Sequence, residues 1–284
     1  MTHAPPHEHT APSRYRARLA RLRQKQESSF VPIFLHRPMA ILLLLPIVEV
    51  KWVTPNRLTT ASVLMRVVAA AMLWPAAWGG LADTPAVLWG AAVLWNLGGA
   101  VDAADGALAR YRGTSSAFGR FYDKVSDRLL TLCFMVALSG RAMIATGEVR
   151  YVYIAMVYVA MMSASSVAKW IEIGIVAGRG DGDAGDPSER SAPARGLVGW
   201  LKYWLWSLRT VFIMTEMDLP LWGSIAVLTH RETWLFHYLA VITVPYALIT
   251  VVLRARRLYL LDRPPAALET RAPAGASARV EASA

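Results

Sequence analysis

Cysteine is nearly absent from this 284-residue sequence: Cys133 is the only one, and it lies inside an apolar run. That excludes a disulfide framework and a cysteine-rich metal site. Charge is scarce as well. Only 18% of residues are charged and 55% are hydrophobic, with 11 Trp and a mean hydropathy of +0.35. Soluble domains carry about 25% charged residues and about 45–50% apolar ones. The excess apolar surface therefore calls for a bilayer as solvent. The first 29 residues are polar and basic and lack the apolar stretch of a signal peptide, so no cleaved export segment is expected. A large soluble catalytic domain is excluded too: at roughly 20 residues per span, six spans use up the apolar content and leave only polar ends. Any chemistry must then sit on membrane helices.

Six apolar runs bounded by charge or by Gly/Pro clusters read as spans: Leu58–Gly79, Ala86–Ala104, Phe118–Leu138, Tyr151–Ile171, Val211–Leu228 and Trp234–Leu253. The net charge of +10 is distributed unevenly about them. With a cytoplasmic N-terminus, 26 Lys and Arg fall on the cytoplasmic side and only Arg141, Arg150 and Arg231 on the other, with Arg66 inside the first span. This asymmetry makes the positive charge a topological signal and not a nucleic-acid footprint, and it places both termini in the cytoplasm.

The division that follows is a basic cytoplasmic arm and interfacial helix over residues 1–50, a six-helix transmembrane catalytic domain over 51–258 and a flexible cytoplasmic tail over 259–284. Within Phe30–Val50, His36, Arg37 and Pro38 precede an apolar run from Met39 to Leu45, and Pro46 interrupts it, which favours an interfacial helix over a seventh span. Upstream, Tyr15, Leu19 and Leu22 recur at helical spacing among five arginines. That stretch reads equally as an amphipathic helix on anionic lipid or as a disordered basic tail. A Gly/Asp/Ser/Pro-rich segment from Gly178 to Gly196 separates the fourth and fifth runs.

One stretch departs from what membrane helices contain. From Val101 to Arg128 the chain reads VDAADGALARYRGTSSAFGRFYDKVSDR. Positions 102, 105, 106 and 109 share one helical face, and 119, 123 and 127 follow at i, i+4 steps. A turn over Tyr111–Phe118 lets two helices run antiparallel and bring Asp102, Asp105, Asp123 and Asp127 together. Each close pair of carboxylates repels by something like ~4 kcal/mol at an effective dielectric of about 20, so a cation must hold them. An all-oxygen set without His or Cys selects a hard ion, Mg²⁺ or Mn²⁺ before Zn²⁺. Two such ions among four acids suit a phosphoryl substrate, and Gly106 and Gly119 let a nucleotide approach the backbone.

Asp102-x-x-Asp105-Gly106-x-x-Ala109-Arg110, eight residues, then Gly119-x-x-x-Asp123-x-x-x-Asp127 resembles the signature of the CDP-alcohol phosphotransferase (CDP-alcohol phosphatidyltransferase) family at all eight positions. Thr54-Pro55-Asn56-Arg57-Leu58-Thr59 is similar to the Pro-Asn element that opens the first span in that family. The resemblance covers roughly residues 50–255. It implies an all-α integral membrane protein, a bundle of six transmembrane helices with an N-terminal interfacial amphipathic helix, often a homodimer; a bacterial inner membrane is the expected location. It implies attack of an alcohol acceptor on a CDP-alcohol donor with release of CMP, in phospholipid synthesis. Asp102, Asp105 and Asp123 are then the principal metal ligands, with Asp127 completing the site and acting as general base. Asn56, Thr59, Gly106, Ala109, Arg110 and Gly119 surround the CDP moiety.

The donor is expected to be CDP-diacylglycerol, because the site opens between membrane helices. A soluble CDP-alcohol with a lipid acceptor is the alternative, and an intramembrane cation or proton pathway is an alternative of another class. For the acceptor, family members that use phosphorylated polyols carry two arginines before a glutamate in the fourth span. Here Ala168 and Trp170 stand there, before Glu172. Lys169, Lys202 or Arg209 is the substitute acceptor contact, although Lys169 reads equally as a snorkelling charge. Trp200, Tyr203, Trp204 and Trp206 read as an interfacial aromatic belt in preference to a cage for a quaternary ammonium. His230 and His237 fall on the far face.

Overall fold

The computed structural model of the chain describes Leu22 and residues 29–74, 83–178 and 197–262, and among these it contains helices and no strand. The arm positions Tyr15 and Leu19, the segment 179–196 and the tail 263–284 lie outside the described residues. So do the side chains of Trp200 and Trp206.

Among the described residues eight helices follow in order: α1 Pro32–Ile47, α2 Pro55–Met72, α3 Pro85–Arg112, α4 Ala117–Thr146, α5 Arg150–Gly178, α6 Leu197–Ile213, α7 Leu219–Leu228 and α8 Glu232–Leu261. α1 opens, and α8 is interrupted, by a single wide turn, at Pro32–His36 and Leu239–Thr243. Four of the eight, α3, α4, α5 and α8, are long and apolar enough to cross a membrane. Their surfaces agree with that: Trp89, Val93, Val157, Val241 and Ile249 are exposed large apolar side chains on these helices, as expected where the solvent is lipid. With 28 residues, α3 is about 42 Å long at 1.5 Å per residue. It therefore overshoots a hydrocarbon core about 30 Å thick and carries its charged end to the headgroup level.

Local signals set the helix ends that matter here. Pro55 occupies the first turn of α2, and Thr54 caps it, its hydroxyl accepting from Arg57 N–H at 3.4 Å. α3 stops at Gly113, whose φ of +66° is the left-handed conformation glycine adopts without strain. Ser116 then caps α4, accepting from Gly119 N–H at 3.0 Å. The connection is thus residues 113–116, shorter than the Tyr111–Phe118 turn read from the sequence, because helical hydrogen bonding persists on both sides up to those two caps.

α2 lies along α3 and also touches α4, and α3 and α4 themselves make few backbone approaches. Deeper in the bundle they meet through Trp95 and Phe134, stacked with ring centroids 3.9 Å apart. A cleft therefore opens between α3 and α4 toward the Gly113 end, with α2 beside it. α1 packs on α3, where Ala40, Leu44 and Val48 bury against Ala104, Ala107 and Leu108, and Leu22 joins the same cluster. Its opposite side exposes Leu42 and Leu43.

The run Val211–Leu228, read as one span, is divided between α6 and α7. Met214 at the break has φ +50°, and Asp218 is fully buried there. The Asp218 carboxylate accepts from Val31 N–H at 2.9 Å and from Thr215 O–H at 2.7 Å, and Thr210 accepts from Phe30 N–H at 3.0 Å. These bonds satisfy polar groups that a continuous apolar helix would leave unpaired, and they anchor the start of α1 to the break.

Candidate active site

The four aspartates stand near the Gly113 end of the cleft. Asp102 lies ten residues before the end of α3, and Asp127 ten residues after the start of α4. At 1.5 Å per residue both are about 15 Å from the turn, hence at one level, with Asp105 and Asp123 one step nearer to it. The carboxylates of Asp102, Asp123 and Asp127 each offer an oxygen, and these three oxygens lie within 4.8 Å of one another. All three are partly exposed, with 21–29% of the side chain accessible.

Asp105 is buried on the same face of α3, but its carboxylate accepts from the Thr59 hydroxyl on α2 in a short hydrogen bond. Three of the four acids are brought together directly, and the fourth is engaged by α2. That bond could not be read from the acidic stretch, since it depends on which helix lies beside it.

Two cations occupy the edges of the cluster. Arg66 of α2 donates from Nη2 to Asp102 Oδ1 at 2.7 Å and from Nη1 to Asp127 Oδ1 at 3.2 Å, so one guanidinium joins α3 to α4. Its Nη2 also donates to Ser62 Oγ at 2.8 Å. Lys124 Nζ lies 2.8 Å from Asp123 Oδ2 and 3.9 Å from Asp127 Oδ2. A set of three carboxylate oxygens that already gathers positive charge has the donor chemistry of a Mg²⁺ or Mn²⁺ site.

In the sequence, Arg66 reads only as a charge inside the first span. An ionisable residue in an apolar run is itself a sign of a functional site, and that signal was available. Glycine lets it reach the acids: a Cβ on Gly98 of α3 would stand 2.6 Å from Arg66 Cγ and 3.3 Å from the Ser62 carbonyl oxygen. The residue after it does the same for α1, because a Cβ on Gly99 would stand 2.7 Å from His36 Cε1.

The residues expected at the nucleotide line the mouth of the cleft. Asn56, exposed on α2, places Oδ1 3.9 Å from where a Cβ on Gly119 would be, and Thr60 Oγ1 is 3.4 Å from Tyr122 Oη on α4. Arg110 folds back over its own helix, with Nη1 3.2 Å from the corresponding point on Gly106. Ala109 is half-buried one residue before it.

The three lysine and arginine positions proposed for the acceptor are spread over other elements. Lys169 is half-buried on α5, and Lys202 and Arg209 are exposed on α6. Glu172 is buried and paired with Arg254 and, at 3.6 Å, with Arg257, both of α8. With Ala168 and Trp170 just before it on α5, Glu172 thus receives its arginines from the last helix. Closer to the acids, Arg128 pairs with Glu216 of the α6–α7 break and donates to Ser166 Oγ of α5 at 2.6 Å.

Residues 52–222 match the family model for CDP-alcohol phosphatidyltransferase. That span includes all four aspartates, Arg66 and the whole of α2 through α7 apart from its last turns. Among curated proteins none matches the chain.

Proposed function

Because the chain belongs to the CDP-alcohol phosphatidyltransferase family, a phosphotransferase family, we propose that it transfers a phosphate-linked group from CDP-diacylglycerol to the hydroxyl of an acceptor, with release of CMP, in phospholipid synthesis. The observation that carries this reading is the meeting of Asp102, Asp123 and Asp127 from two helices within 4.8 Å. Asp102, Asp123 and Asp127 would hold Mg²⁺ or Mn²⁺, with Asp105 as the fourth acid of the site. A pair of such ions supplies charge on the phosphate oxygens and on the departing CMP.

The protein's own groups do the rest. Asn56, Thr59, Gly106, Ala109, Arg110 and Gly119 seat the CDP moiety at the open end of the cleft. Asp127 lies one turn farther in than Asp123, about 6 Å along the axis, and accepts the proton of the acceptor hydroxyl as its oxygen attacks phosphorus. The new P–O bond forms as the P–O bond to CMP breaks, and CMP leaves with the bonding electrons. Ser62, the hydroxyl beside Asp102, is fully buried and held by Arg66 Nη2 at 2.8 Å, so displacement is direct and inverts phosphorus.

In this reading the catalytic unit spans residues 51–258. α2 and the α6–α7 pair complete six crossings with the four long helices, and α1 lies at the interface. The excess of Lys and Arg near the Gly113 end supports a cytoplasmic site with both termini on that side. The family resemblance supports a homodimer, and the membrane proposed for it is a bacterial inner membrane.

The test is a screen of the purified protein for CMP release, with CDP-diacylglycerol and with soluble donors such as CDP-choline and CDP-inositol against a panel of acceptors. Release from CDP-diacylglycerol is the expected result. Release only from a soluble donor with a lipid acceptor reverses the roles of the two substrates, and none with any donor refutes the reading.

A further inference from the structure

Behind the carboxylates, on the side away from the nucleotide residues, α1, α2, α3, α4 and the α6–α7 break line a partly open cavity of about 60 Å³. Asp102 and Asp127 form one wall. Trp95, two helical turns deeper on α3 than Asp102, lines it farther in. Three of its lining residues carry a buried polar atom with no hydrogen-bond partner among the described residues: His36 Nε2, Arg66 Nε and Trp95 Nε1. His36 and Trp95 are only 6% and 4% exposed. Each such group left unpaired costs about 1–3 kcal/mol, and three around one cavity next to reacting groups point to a polar occupant.

The chemistry of the wall restricts that occupant. Arg66 and Trp95 offer N–H donors and no acceptor. Burial lowers the His36 pKa to about 4, so its imidazole is neutral and gives one donor or one acceptor. Arg66 has its two terminal nitrogens on Asp102 and Asp127, and Glu216, on the opposite side, is paired with Arg128. A phosphomonoester needs a bidentate or clustered cationic seat, and none is left on this wall. Size agrees: a water molecule takes about 30 Å³ of liquid, so the space suits a hydroxyl-bearing carbon or two.

We propose that this cavity receives the attacking end of the acceptor, and that the acceptor is a small alcohol with no anionic group on the carbons that enter it. The inference rests on the phosphotransfer reading. The hydroxyl enters beside Asp127, which takes its proton as the oxygen bonds to phosphorus and CMP departs. Neighbouring oxygens of the same alcohol meet Trp95 Nε1, Arg66 Nε and His36 Nε2. Its anchor on α1 gives the N-terminal helix a part in acceptor selection.

The experiment uses the full chain in nanodiscs with CDP-diacylglycerol and Mg²⁺, and measures CMP release with paired acceptors: inositol against inositol phosphate, and glycerol against glycerol phosphate. The neutral member of a pair is expected to give a kcat/KM at least 10-fold higher. Trp95→Phe, which keeps the stack on Phe134, and His36→Leu are expected to raise the acceptor KM 5-fold or more with the donor KM unchanged, and His36→Gln to recover part of the loss. A phosphorylated acceptor preferred by 10-fold overturns the inference and leaves the phosphotransfer reading standing. A neutral preference that neither variant alters removes the cavity as its seat. No CMP from any pair overturns the inference, and the donor screen above then decides whether the phosphotransfer reading falls with it.

Discussion

Arg66 on α2 donates to Asp102 on α3 across 2.7 Å, from a helix position where only glycine opposite, at Gly98, leaves room for its side chain. The same guanidinium holds Asp127. With its side chain 11% exposed, it is a largely buried charge compensating two others. Removing one member of such a group typically costs about 3–5 kcal/mol. Arg66→Met is therefore expected to lower the unfolding temperature of metal-stripped protein, and to increase the stabilisation gained on adding Mg²⁺, because the acids then rely on the ion alone. Thermal unfolding with and without Mg²⁺ checks this. An equal metal increment in variant and wild type would mean that Arg66 and the ion do not serve the same carboxylates.

Asp123 and Asp127 are assigned different work on one helix face. Asp123→Asn removes a ligand charge, and metal and CDP-donor affinity should fall together. Asp127→Asn should lower turnover by about 10²–10⁴-fold, the contribution of a general base, and retain most donor binding. Equilibrium binding of a CDP-alcohol alongside single-turnover kinetics separates the two. Collapse of donor binding in Asp127→Asn would make it chiefly a metal ligand, and retention of configuration with a chiral phosphorus donor would rule out direct displacement.

Thr59 ties Asp105 to α2 through its hydroxyl. Thr59→Val keeps the shape and deletes the donor, leaving a buried carboxylate oxygen short of a partner at a cost of about 1–3 kcal/mol. A drop in unfolding temperature and a higher donor KM are expected, with both restored in Thr59→Ser. If Thr59→Ser behaves like Thr59→Val, the methyl group's packing matters and the hydroxyl does not.

Far from the cleft, Arg141 on α4 is 5% exposed and joins Glu232 at 2.8 Å to Asp83 at 2.6 Å, clamping the opposite ends of three helices. Arg141→Met is expected to destabilise the fold by about 3–5 kcal/mol, as for a broken buried pair, and to leave the metal dependence of the surviving activity unchanged. Metal titration of that variant at reduced temperature distinguishes the structural cluster from the catalytic one.

The acidic site was legible because it is local. Asp102 and Asp105 on one helix face, and Gly119, Asp123 and Asp127 at successive i, i+4 steps, follow from 3.6 residues per turn, and a glycine in the turn permits the return. All four long apolar helices start within two residues of the runs read from sequence and continue past their ends as far as the next charged or glycine-bearing turn. What escaped the sequence depends on contacts between distant segments. The faces of α3 and α4 were identified, but not that α2 would lie beside both and place Arg66 between them. The break at Met214 is stabilised by Asp218 accepting from Val31 N–H, a bond between residues 187 apart in the chain. His36 enters the picture only through Gly99, a neighbour that periodicity does not disclose.

Everything proposed for this protein depends on the carboxylate cluster being a divalent-metal phosphotransfer site. The direct measurement is CMP release from CDP-diacylglycerol by the purified wild-type protein, stripped with EDTA and then titrated with Mg²⁺ or Mn²⁺ in the presence of a competent acceptor. The expected result is no release from the stripped protein, saturable recovery with either ion, and a recovery curve moved to much higher metal concentration in Asp123→Asn. Release that continues at full rate after stripping, or an Asp123→Asn curve that overlays wild type, would contradict it.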